Sequence, residues 1–102
     1  MFRVALVLCA LGGSGALVGC GGMAPPAASP LDANRANVQL ADLQNGRSLL
    51  LRKCGGCHRV PLPTEHSPHD WPAKLSEMSA RAHVDESQRQ LIEAYLVTMA
   101  AR

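Results

Sequence analysis

The sequence predicts a small all-α domain of about three short helices, and three observations lead there. Apolar residues recur at helical spacing in three stretches near 40–53, 70–82 and 85–99. No stretch alternates apolar and polar at period two, so no sheet is expected. Glycines and prolines cut the chain between those stretches: Gly55, Gly56, Pro61, Pro63 and Pro68 make residues 55–69 a loop.

The first helix spans about Leu40 to Lys53, with Leu40, Leu43, Leu50 and Leu51 near one face and Gly46 as a weak point. The second begins at Asp70 as N-cap, with Pro72 in a first turn where a missing N–H does no harm. Trp71, Leu75, Met78 and Ala82 then form one stripe. The third starts near Asp85, whose spacing to Gln88 has the form of a capping box, and buries Leu91, Ile92, Tyr95, Leu96 and Met99.

The beginning of the 102-residue chain does not belong to that domain. Residues 1–19 have the parts of a secretory signal: Arg3, an apolar run from Val4 to about Leu11, then small residues up to Gly19. The run is shorter than the roughly 20 apolar residues of a transmembrane helix. Leu17-Val18-Gly19-Cys20 resembles the lipobox of bacterial lipoproteins. That resemblance implies a diacylglycerol thioether on Cys20 and cleavage in front of it, against the plainer alternative of an ordinary signal with a stray cysteine. Cleavage there leaves 83 residues with nine basic and eight acidic side chains, a balance that points to no nucleic acid. Residues 20–38, rich in Gly, Ala, Pro and Ser, read as a lipidated, exposed, flexible tether. Its 18 or so residues would reach at most roughly 55–60 Å. The folded domain is then 39–102.

That domain lacks core. Trp71 and Tyr95 are its only aromatics, and a core built by roughly 65 residues supplies few kcal/mol unless something staples it. Cys54-Gly55-Gly56-Cys57-His58 supplies a candidate staple, because C-x-x-C-H is the attachment signature of haem c. Thiols three positions apart reach the two vinyl groups on one porphyrin edge. The adjacent imidazole of His58 then lies under the iron as proximal ligand. The two glycines allow a tight turn against the ring. Three other readings compete: zinc held by Cys54, Cys57 and two of His66, His69 and His83; a thioredoxin-type dithiol, for which no βαβ scaffold exists; and a strained disulfide across two residues.

From about Leu40 to the end, the chain resembles the small class I cytochrome c family. The matching positions are Gly46-Arg47, the motif from Cys54 to His58, and Ile92 with Tyr95-Leu96. Pro63, Trp71, Met78 and Ala80-Arg81-Ala82 further resemble a compact subgroup met as lipoproteins. The resemblance implies a compact cytochrome c-like fold around one covalent haem c per chain, with a methionine, best matched by Met78, as distal iron ligand. His66, His69 and His83 are rival ligands, and an open sixth position is a further alternative. Met99 is explained by core packing, and Met23 lies in the tether. Arg52, Lys53 and Arg59 form a solvated rim, or else meet an acidic partner or the haem propionates. The Trp71 indole N–H would bond a propionate, or its ring would simply pack on the haem; Tyr95 is core.

The expected function is one-electron transfer without substrate turnover, so not an enzyme. The alternative is a haem-based module that binds or senses a small ligand at an open or labile sixth position. Peroxidase chemistry would need His66 or His69 as a distal acid–base group. The expected partners are membrane-bound or periplasmic redox proteins and, through the lipid anchor, a bacterial membrane. The domain would face the periplasm, with the outer membrane favoured because Gly21 and Gly22 follow the lipidated cysteine. Oligomeric state is not legible.

Overall fold

The computed structural model describes residues 24–55 and 59–102. The signal segment, the lipobox with Cys20, and Cys57 and His58 lie outside the described residues. The chain is all-α: helices α1 (Pro30–Ala36), α2 (Leu40–Cys54), α3 (Trp71–Arg81) and α4 (Glu86–Ala100), with a 3₁₀ turn at Pro63–Glu65. Among the described residues there is no strand.

The principal contact is α2 against α4. In α2 the residues turned inward are Leu43, Gly46, Leu49, Leu50 and Cys54. Leu51 is 37% exposed and Leu40 only half-buried, so the buried stripe is rotated from the expected one. Gly46 sets the separation of the two helices. A Cβ placed there would lie 2.0 Å from the Leu91 carbonyl oxygen and 3.0 Å from Tyr95 Cβ. The residue that looks like a weak point for helix propensity is thus where the two backbones meet.

Helix α4 begins as expected. The Gln88 N–H donates to Asp85 Oδ1 (2.8 Å), and the Asp85 N–H donates to Gln88 Oε1 (3.2 Å), closing a reciprocal box. Ile92, Tyr95, Leu96 and Met99 are buried, whereas Leu91 is half-buried, with its backbone against Gly46. Helix α3 starts at the expected place by a different device. Asp70 occupies the cap position in a helical conformation without a side-chain bond to the helix. Ser67 does the capping: its hydroxyl accepts from the Asp70 N–H (3.2 Å) and its carbonyl from the Trp71 N–H (3.3 Å). Past the far end of α3, His83 is exposed with φ 54°. The Val84 N–H beyond it returns to the Ser79 carbonyl (3.0 Å), so His83 acts in ending the helix.

The tether expected over residues 20–38 is corrected by the structure over its described part. Ser29 caps α1, its hydroxyl accepting from the Asp32 N–H (3.3 Å) while Asp32 Oδ2 accepts from the Ser29 N–H (2.8 Å). Asn37 closes the helix in the left-handed region, with the Val38 N–H on the Ala33 carbonyl (3.0 Å). Polar ties then clamp this segment to the helix pair. Arg47 Nε donates to the Pro25 carbonyl (2.9 Å), the Tyr95 hydroxyl to the Pro26 carbonyl (2.5 Å), and Arg35 to the Thr98 carbonyl (2.8 Å). Buried Asp32 accepts two bonds from Arg102, both 3.1 Å. The Ser29 N–H, more than the cation beside it, holds the Asp32 carboxyl below the ordinary carboxylate range. Few apolar side chains were needed, which is why composition alone reads as a free linker. Residues 25–38 form a clasp over α2 and α4, and α1 touches neither α3 nor the 3₁₀ turn.

Candidate functional site

Helix α2 ends on Cys54, the first cysteine of the C-x-x-C-H motif, and its last turn carries Arg52 and Lys53, cations that suit a helix C-terminus. The side chain of Cys54 is buried in the cluster that holds Leu50, Trp71, Leu75 and Ile92. Burial pushes the Cys54 thiol above its ordinary value, so it is kept neutral. Gly55 follows with φ −83°, a conformation open to any residue. Its constraint is space: a Cβ would sit 3.1 Å from Val60 Cγ2 and 3.3 Å from the Leu51 carbonyl oxygen.

The segment leaving the motif walls a cavity of about 320 Å³ with α3. Arg59, Pro61, Glu65, His66, Trp71 and Met78 line it, and most of its wall is apolar. Met78 is half-buried and packs against the cluster containing Cys54, so the cavity and the first cysteine share one piece of core. Trp71 is fully buried, and its indole N–H donates to the Pro63 carbonyl (2.8 Å). That bond corrects the expectation of a propionate partner: the single indole donor is already used, and it pins the loop to α3. His66 meets the Trp71 ring edge-on, with centroids 4.8 Å apart. Arg59 pairs with Glu65, whose carboxylate also accepts from the Leu62 N–H. The Arg59 hydrogen bond holds the Glu65 carboxyl below the usual range. The 3₁₀ turn is thereby folded back onto the residue that follows the motif.

Of the candidate distal ligands, Met78 and His66 line this cavity; His69 and His83 do not, and both are exposed. Met99 is buried in the α4 face. Among the described residues no three His, Cys, Asp or Glu side chains converge on one point. The donor set suits a haem: a thioether and an imidazole border one largely apolar cavity, beside a helix that ends on the first cysteine of the C-x-x-C-H motif. A volume near 320 Å³ falls at the lower end of ligand pockets. Pro61 and Glu65 as wall residues were not among the sequence candidates; their only signal was closeness to the motif.

No helix among the described residues is long and apolar enough to cross a membrane. Compared with models of protein families, with curated proteins and with solved structures, the chain matches none.

Proposed function

We propose that this chain is a lipid-anchored mono-haem c-type cytochrome that carries single electrons between membrane-bound or periplasmic redox proteins. The observation that carries the reading is the C-x-x-C-H motif at the end of α2, with its first cysteine in the same core cluster against which cavity-lining Met78 packs. Haem bound there would supply an iron that takes up and returns one electron.

Each residue then has a defined task. Cys54 and Cys57 would hold the ring as thioethers, and His58 and Met78 would ligate the iron, Met78 from α3; methionine ligation would raise the reduction potential relative to a second histidine. Trp71, locked to Pro63, and Pro61 exclude water from the wall. Cys20 carries the lipid that keeps the domain at a bacterial membrane, the outer one by the Gly21-Gly22 reading.

His66 lines the same cavity and sustains two rivals, bis-histidine ligation and an acid–base group beside an open iron. Oxidised and reduced visible spectra of the purified protein separate them. Thioether ligation gives a weak far-red band in the oxidised form. A spectrum without that band that changes in His66→Ala would assign histidine, and rapid CO binding by the wild type would favour a small-ligand sensor. Pigment released by acid–acetone, or zinc in place of iron, would contradict the proposal as a whole.

A further inference from the structure

We infer that the clasp surface bearing Leu31, Arg35 and Arg102 lies against lipid headgroups, so that the cavity is held facing away from the bilayer. The inference rests on the proposed lipid on Cys20 and adds to it an orientation. Arg47 and Tyr95 fix the Pro25 and Pro26 carbonyls on α2 and α4, so only five peptide steps separate Cys20 from a fixed point on the domain. Five residues extend at most about 18 Å. A folded unit of this size is roughly 29 Å across, and a path around half its perimeter is about 45 Å. The leash cannot reach around to lay the far side on the membrane.

The face that the leash draws down is suited to it. Leu31 is 78% exposed, the most exposed large apolar side chain among the described residues. Arg35 and Arg102, each a little under half exposed, flank the buried carboxylate of Asp32 and bring two guanidinium groups to this surface. An exposed leucine on the helix that also carries Arg35, with Arg102 bonded to the Asp32 beside it, matches an anionic lipid surface, in which apolar groups enter the boundary and cations stay with the phosphates. The cavity lies on Arg59–His66 and α3, elements that α1 does not touch. An electron partner would therefore approach from the aqueous side.

The test uses lipidated holoprotein in vesicles of phosphatidylglycerol and phosphatidylethanolamine, with a nitroxide on Leu31→Cys or, on α3, Glu77→Cys. Both positions are exposed, so neither change disturbs the core. The label at 31 is expected to be several-fold less accessible to a water-soluble nickel chelate, and more accessible to oxygen, than the label at 77. Equal chelate access at both, in protein whose Cys20 lipid is demonstrated by fatty-acid labelling, would overturn the orientation and leave the anchor standing. Absence of the lipid would overturn both. Labels appearing on Cys54 and Cys57 as well would instead contradict the covalent haem.

Discussion

The α2–α4 crossing and the cavity region between Arg59 and Met78 are built on different principles. At the crossing the chain satisfies itself. Gly46 abuts the Leu91 backbone, Ile92, Tyr95 and Leu96 are sealed, and the clasp uses the Tyr95 hydroxyl and the Arg47 guanidinium. In the cavity region the side chains are half-committed: Val60, His66 and Met78 are each only partly buried, and the ties are local, Arg59 to Glu65 and Trp71 to Pro63. The contrast teaches that stability is concentrated where the helices cross, while reactive groups sit on a thinner frame beside it. Substitutions in the two regions should therefore be read by different instruments.

The largest effect is expected where the regions meet. Trp71→Ala removes a fully buried ring from the shared core and should cost on the order of 3–5 kcal/mol in chemical denaturation. Trp71→Phe keeps most of that packing and orphans the Pro63 carbonyl, for about 1–3 kcal/mol. Equal losses in both would mean that the N–H, and not the packing of the ring, joins the loop to α3.

At the crossing, Gly46→Ala should destabilise by roughly 1–3 kcal/mol through overpacking, against an intrinsic helix preference for alanine of about 1 kcal/mol. A stabilised Gly46→Ala variant would break the account of the crossing outright. Tyr95→Phe loses one hydrogen bond to the clasp, about 1 kcal/mol, and should increase proteolysis between residues 25 and 38. Burial pushes the Tyr95 hydroxyl up to about 12, so folding favours its neutral form. That stability is complete below the unfolded value near 10 and is lost as pH rises from there towards 12. In Tyr95→Phe the alkaline loss should shrink, as read by urea midpoints at pH 9 and 11.

In the cavity the order of sensitivities inverts. Met78 is only half-buried, so Met78→Ala should cost well under the roughly 2–5 kcal/mol of a fully buried methionine. It should nonetheless abolish the far-red band, lower the potential and speed CO binding. Gly46→Ala should leave the band where it is. A Met78→Ala protein with an unchanged spectrum would remove methionine from the distal position.

The helices that bury apolar stripes were legible: α2, α3 and α4 begin within a residue or two of where periodicity, Pro72 and the Asp85–Gln88 box put them. Helix α1 was not read, since in seven residues it buries one apolar side chain, Ala33. Ser29, Pro30 and Asp32 did carry a helix-start signal within an otherwise linker-like tract. Its partners, Thr98 and Arg102, lie more than 60 positions away, beyond any local pattern. Gly46 shows the same limit: propensity marks it as a fault, and only the neighbouring helix explains it. At the cavity, Cys54 stood out by its motif and Met78 by the resemblance and its place on the α3 stripe, and the two share one piece of core. The Trp71 partner was missed because it is a backbone carbonyl, a group every residue offers.

A haem held covalently by Cys54 and Cys57 is read by intact mass spectrometry of the fully denatured protein followed by proteolysis. One species carrying a single haem mass that survives denaturation is expected, with the modification on the peptide containing Cys54-Gly55-Gly56-Cys57-His58. Unmodified thiols on that peptide, in protein exported by a host equipped to attach haem, would contradict it.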